Sequence, residues 1–117
     1  QTQDAYLTVS ISDVDGVLIP EQVASALTEA TLQAIANSQQ HAGDRASRSL
    51  VLKGHKAGIK VVIKDDGRGF RMSRVPKNRL GIRVSIIERV ELAGGRVFID
   101  SRPGEGTNII LEWGVDA

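Results

Sequence analysis

The chain has 117 residues, 41% of them hydrophobic and 25% charged, with a net charge of +1. Such a composition fits one ordinary globular domain, and so small a charge argues neither for nor against nucleic acid. The absence of cysteine excludes disulfides, thiolate metal sites and thiol nucleophiles. No apolar run approaches the roughly 20 residues of a membrane span, and no signal peptide is read at the start. Aromatic residues make up 3% of the chain, so its core must be built from Val, Ile, Leu and Ala.

In chain order, Ala5 to Ser12 alternates Leu7, Val9 and Ile11 with Thr8, Ser10 and Ser12, which predicts a strand with one buried face. Asp13-Val14-Asp15-Gly16 turns the chain, and Pro20 and Glu21 suit the first turn of a helix running to about Gln40. Val23, Leu27, Ala30 and Ala34 form its apolar stripe, broadened by Leu32 and Ile35, and Gly43 is the expected stop. Glu29, Gln33, Asn37 and His41 recur every four residues, a polar column that is either a solvated face or the floor of a pocket. Two strands follow, Ser47 to Lys53 and Gly58 to Lys64, joined by a turn holding His55, which is expected to be a loop histidine.

Asp65-Asp66-Gly67-Arg68-Gly69-Phe70 comes next. A carboxylate is delivered at a strand end, beside two glycines that allow sharp turning and close approach. An acceptor fixed there can take a hydrogen bond from an exocyclic amine such as that of adenine; the plainer reading is an Asp-Gly hairpin turn. From Gly67 to Ile87 there is no acid, while Arg68, Arg71, Arg74, Lys77, Arg79 and Arg83 are present. That stretch reads as a solvated basic loop or as a flap attracting phosphates. Leu80 to Ala93 is a second helix with Ile82, Ile86 and Val90 on one face, closed by Gly94-Gly95. Arg96 to Asp100 and Thr107 to Trp113 are the last strands, around a turn at Arg102-Pro103-Gly104-Glu105-Gly106. The order β α β β α β β predicts an α+β fold: a two-layer sandwich of five mostly antiparallel strands with helices on one face.

Four pieces therefore stand in one order: Asn37 with His41 one turn on, Asp65-x-Gly67-x-Gly69, a loop ending in Leu80-Gly81, and Gly104-x-Gly106-Thr107. Together they resemble the ATP-binding domain of sensor histidine kinases, in the GHKL superfamily shared with gyrase and mismatch-repair ATPases (the Bergerat-type fold). Gly81 to Val90, followed by Gly94-Gly95, looks most like the subfamily that pairs with response regulators of the nitrate-response type.

The resemblance implies a role for each matching residue. Asn37 would hold Mg²⁺, a metal that keeps several waters and needs few protein ligands beside phosphate oxygens. His41 would lie near the phosphates. Asp65 would accept from the adenine amine with Thr107 assisting, and Gly67 and Gly69 would let the base approach. Leu80 and Gly81 would offer backbone N–H groups to the phosphates, and Arg79 would contact a phosphate at the end of the basic lid. The family's usual Glu is Gln33 here, and two lid glycines are Lys77 and Arg79. Gln cannot take a proton, so no general base is certain; Glu29 is a remote substitute.

The implied activity is that of a histidine kinase passing the γ-phosphoryl of ATP to a histidine on a separate dimerisation domain and, through it, to a response regulator. As an isolated fragment the chain is expected not to autophosphorylate. It is read as one catalytic domain over 1–117, with tails at 1–4 and 115–117, belonging to a longer protein. A cytoplasmic location is expected, in a parent that can be membrane-bound, with no direct membrane contact and no nucleic acid partner. The alternatives are a non-catalytic interaction module and a serine kinase that regulates sigma factors.

Overall fold

The computed structural model describes residues 7–43, 46–69 and 77–114, with side chains described in all of these but 77–84. The predicted tails and the basic stretch from Arg71 to Arg74 lie outside these residues. The elements are β1 (Leu7–Ser12), α1 (Glu21–His41), β2 (Arg48–His55), β3 (Gly58–Asp65), α2 (Lys77–Leu92), β4 (Arg96–Arg102) and β5 (Gly106–Trp113). Their order is the predicted one. The five strands form one sheet in the order β1-β2-β3-β5-β4; β1 runs parallel to β2 and every other pairing is antiparallel. Parallel neighbours need a long crossover, and α1 provides it.

Both helices bury their apolar stripes on one side of the sheet. Val23, Leu27, Ala30 and Ala34 of α1 and Ile86 and Val90 of α2 meet Val61 and Ile63 of β3 and Ile109 and Leu111 of β5. Register builds this face as rows across the strands. Val9, Leu50, Ile63, Ile109 and Ile99 form one row, and Ile11, Leu52, Val61, Leu111 and Val97 another. The row beyond them, at one end of the sheet, is polar: Arg48, Asp65, Thr107 and Ser101, with Leu7 at its edge. On the opposite face Glu112 draws in Lys60 at 3.9 Å and Arg96 at 3.1 Å, and Arg96 lies 5.8 Å from the centre of the Phe98 ring.

Two expectations are corrected. β1 is a strand, but Leu7, Val9 and Ile11 are 40%, 52% and 60% exposed rather than buried. They point to the helix side as their alternation requires; β1 is an edge strand, and the stripe of α1 is spent on the central strands. Leu32, expected to broaden that stripe, is 61% exposed for the same reason. An open apolar groove of about 420 Å³ runs there between Leu7, Leu32, Ile35, Leu50 and Leu52. The second correction is the start of α2, at Lys77 rather than Leu80.

Candidate functional site

The polar row is organised by Asp65, at the last position of β3 and 7% exposed. Its Oδ1 accepts the Gly67 N–H at 3.0 Å, and its Oδ2 accepts the Ser38 hydroxyl at 2.8 Å. Asp65-Asp66-Gly67 is thus a side-chain-closed turn rather than a hairpin. Asp66 continues the β2 side: its N–H donates to Ser47 O at 3.2 Å and its Oδ1 accepts the Ser47 N–H at 2.7 Å. Beyond it, Arg68 N–H donates to Ala42 O at the end of α1 (3.0 Å), and Arg68 O accepts the Gly104 N–H of the β4–β5 turn (2.6 Å). The strand end is therefore tied to both neighbouring elements.

The glycines serve these ties. A Cβ on Gly67 would sit 2.3 Å from Ala42 O, and one on Gly69 would sit 2.0 Å from Arg102 O. The close approach each permits is to protein backbone, whereas the expectation gave that space to the base. Gly69 still lines the hollow described below. Gly106 is as constrained as Gly69, with φ +85° and a built Cβ only 2.0 Å from Asp65 O. Replacing Gly106 with Ala should destabilise the domain by about 2 kcal/mol or more, through left-handed strain and displacement of Asp65. Thermal melting measures this; an unchanged midpoint would contradict it.

Across the ladder, Thr107 is the register partner of Asp65. Ser101 Oγ donates to Gly106 O at 3.0 Å and lies 2.8 Å from Thr107 Oγ1. With the Ser101 proton on Gly106, Thr107 is the donor of the second bond, and its oxygen keeps lone pairs for a water or a base amine. Asn37, Ser38, Asp65, Gly69 and Thr107 line one hollow above Ala34, Ile63 and Ile109. It measures about 10 Å³, room for a single water, so a purine requires it to widen. A wider hollow of about 220 Å³ opens at the strand ends beside Asp65 and Thr107, among Lys64, Asp100, Arg102 and Asn108. The large apolar groove at β1 lacks convergent polar groups, so chemistry rather than size selects the site.

Asn37 is half-buried, and its Oδ1 is inaccessible to solvent with no hydrogen-bond partner among the described residues; the same holds for Gln33 Oε1 one turn earlier. Leaving a buried acceptor unmatched costs about 1–3 kcal/mol, so these oxygens are suited to a ligand that the protein alone does not supply. An amide oxygen is a hard donor of the kind magnesium takes, so Asn37 fits that metal. Glu29 is paired with Arg89 of α2 and so is committed to the helix–helix contact. His41 is half-buried in the last turn of α1 and is not among the walls of the hollow. Because α2 begins at Lys77, Leu80 and Gly81 lie further inside the helix than expected. The N–H groups left free by its opening turn are those of Lys77 to Arg79.

Three buried polar residues of this end, Ser38, Arg48 and Ser101, are not among the expected site residues. Two of them carried a signal. Ser38 continues the stripe of Leu27, Ala30 and Ala34, and Arg48 continues the half-buried, helix-facing alternation of Leu50 and Leu52. A polar residue on an apolar face needs a partner.

A model of the family described as "Histidine kinase-, DNA gyrase B-, and HSP90-like ATPase" matches residues 22–116. The chain is 35% identical over 97 residues to the signal transduction histidine-protein kinase/phosphatase DegS of Brevibacillus brevis, covering 82% of this chain and 24% of that protein. To an uncharacterized sensor-like histidine kinase of Chloroflexus aurantiacus it is 33% identical over 105 residues, covering 86% of this chain and 17% of that one. The chain thus spans about a quarter or less of these relatives. Among solved structures, the histidine kinase domain of the blue-light activated kinase EL346 of Erythrobacter litoralis superposes with a TM-score of 0.68 at 25% identity, over 93% of this chain and 55% of that one. The catalytic domain of histidine kinase ThkA has the same fold, with a TM-score of 0.66 at 12% identity, over 91% of this chain and 77% of that one.

Proposed function

Since the chain belongs to the histidine kinase-, DNA gyrase B- and HSP90-like ATPase family, we propose that it binds ATP with Mg²⁺ as the catalytic domain of a sensor histidine kinase. In this reading the γ-phosphoryl passes to a histidine on a separate dimerisation domain, and from there to a response regulator of the nitrate-response type. The observation that carries the reading is the shared hollow: a buried, doubly held carboxylate and an unmatched amide oxygen line the same space.

Asp65 accepts from the adenine amine, and Thr107 supplies a second acceptor or holds a water. Gly67 and Gly69 act by letting α1 and the β4–β5 turn close around Asp65. Asn37 Oδ1 holds the magnesium, whose charge offsets that of the phosphates. The opening turn of α2 offers its free backbone N–H groups to phosphate, with Arg79 contributing positive charge there and Leu80 and Gly81 following directly in the same helix. His41 adds a polar neighbour at the end of the same helix. Phosphoryl transfer depends mainly on positioning and charge stabilisation, which these residues provide.

The missing partner supplies the nucleophile: His41 sits within α1 and His55 ends β2 at an exposed hairpin. Among the described residues, no helix is long and apolar enough to cross a membrane. Titration with a non-hydrolysable ATP analogue tests the reading. Saturable binding that tightens with Mg²⁺ is expected; no binding at millimolar nucleotide would sink it.

One observation favours a second reading, a module without turnover. Gln33 stands where the family has Glu, and Glu29 is held by Arg89. No carboxylate is therefore free on this face of α1 to activate water. Gln33→Glu should raise ATP hydrolysis by about 100-fold, within the usual range for a general base. Unchanged hydrolysis in a variant that still binds ATP would favour the module.

A further inference from the structure

Behind Asp65 lies a buried cation that the roles above do not use. Arg48 opens β2, is 6% exposed and stands opposite Asp65 in register. Among the described residues, no carboxylate lies within 4.0 Å of it. Instead its guanidinium is wrapped around the end of α1. Nε donates to Ser38 Oγ at 2.9 Å, Nη2 to Ser38 O at 3.2 Å and Nη1 to Ala46 O at 3.4 Å. Ser38, itself 7% exposed, then donates to Asp65 Oδ2. The buried cation and the buried carboxylate are thus joined through one hydroxyl.

The direction of that relay follows from proton counting. A hydroxyl has one proton and two acceptor lone pairs. A guanidinium only donates and stays charged throughout the accessible pH range. Arg48 therefore occupies a lone pair of Ser38, and the hydroxyl proton is directed to Asp65. With Gly67 N–H on Oδ1, the carboxylate is held at both oxygens and its plane is fixed. The polar end of the hollow then offers a base only acceptors from Asp65, with no free hydroxyl proton from Ser38.

We propose that Arg48 is a positioning residue for base selection: by locking the Ser38 hydroxyl onto Asp65, it makes the site accept a 6-amino purine and refuse a 6-oxo purine. This rests on the reading of the hollow as an adenine site. Without Arg48 the Ser38 hydroxyl can turn into the hollow and donate to an O6 atom, which relaxes the refusal. The effect is on discrimination between bases, beyond any loss of packing.

The test compares ATP with inosine triphosphate, which carries O6 in place of the amine and the same triphosphate. Calorimetric titration gives the affinity ratio for the natural chain, Arg48→Met, Ser38→Ala and the double variant. Arg48→Met should lower the ATP preference about tenfold, the worth of one hydrogen bond. Adding Ser38→Ala should restore most of it, because the hydroxyl that serves O6 is gone. Removing both partners also avoids an unmatched buried donor, so the double variant guards against a misfolded single one. If Arg48→Met weakens both nucleotides equally, or if the double variant keeps the lowered ratio, Arg48 is a packing residue and the proposal fails. A natural chain that binds neither nucleotide overturns the adenine reading itself. A natural chain with a strong ATP preference that no variant alters overturns only the role of Arg48.

Discussion

Replacing Asp65 with Asn should weaken an ATP analogue about 10- to 150-fold, the equivalent of the ~1.5–3 kcal/mol that a hydrogen bond to a charged group contributes. Asp65 already serves two donors, Gly67 N–H at 3.0 Å and Ser38 Oγ–H at 2.8 Å, and the proposed adenine amine is a third. A carboxylate has lone pairs for all of them. An amide has one oxygen, and its NH₂ must then face a donor. The loss should fall on the base: inorganic tripolyphosphate, which has none, should bind the variant and the natural chain alike. Calorimetry on both ligands measures this. Equal affinity of the two proteins for the ATP analogue would remove Asp65 from the site. The buried guanidinium of Arg48 also loses its indirect counter-charge, so some fall in melting temperature is expected alongside.

The largest effect on stability is expected from Leu111→Ala. Leu111 is 0% exposed, in the middle of β5, and packs within the cluster formed by both helices and the central strands. Truncating such a side chain costs about 2–5 kcal/mol, from lost transfer energy and from a cavity that neighbours cannot fill. Domains of this size are stable by only about 5–15 kcal/mol, so the variant gives up a large share of its stability. Each kcal/mol lowers the midpoint of a ~100-residue domain by about 4–8 °C. Leu32→Ala is the matched control: at 61% exposure it should move stability by no more than about 0.5 kcal/mol. Urea titration of both variants decides it. Equal losses would mean that the groove beside Leu32 is as tightly packed as the core.

The comparison of Leu111 with Leu32 also marks what patterning can tell. Period-two alternation along β5 and β1 turns Leu111, Val9 and Ile11 alike to the helix side of the sheet. Only Leu111 lies under a helix. Periodicity reports which way a side chain points; it carries no information about what covers it. β1 therefore reads as a buried face in sequence and stands as an uncovered edge in the fold. The start of α2, at Lys77 rather than Leu80, is hidden for a more local reason: Lys77-Asn78-Arg79 contains no apolar residue, so helical periodicity has nothing to register there.

By itself, the sequence determined the succession of elements, the aliphatic core stripe of α1 and the delivery of Asp65 at a strand end ahead of a tight turn. These follow from short-range preferences: alternation, helical spacing and the backbone freedom of glycine. Tertiary structure alone decided which donors hold the carboxylate, and that the space beside Gly67 and Gly69 is taken by Ala42 and Arg102. It also decided that a buried Arg48 reaches Asp65 through Ser38. The physical reason is that register and helix docking set these distances. They bring together groups far apart along the chain, and a hydrogen bond exists only when both partners arrive.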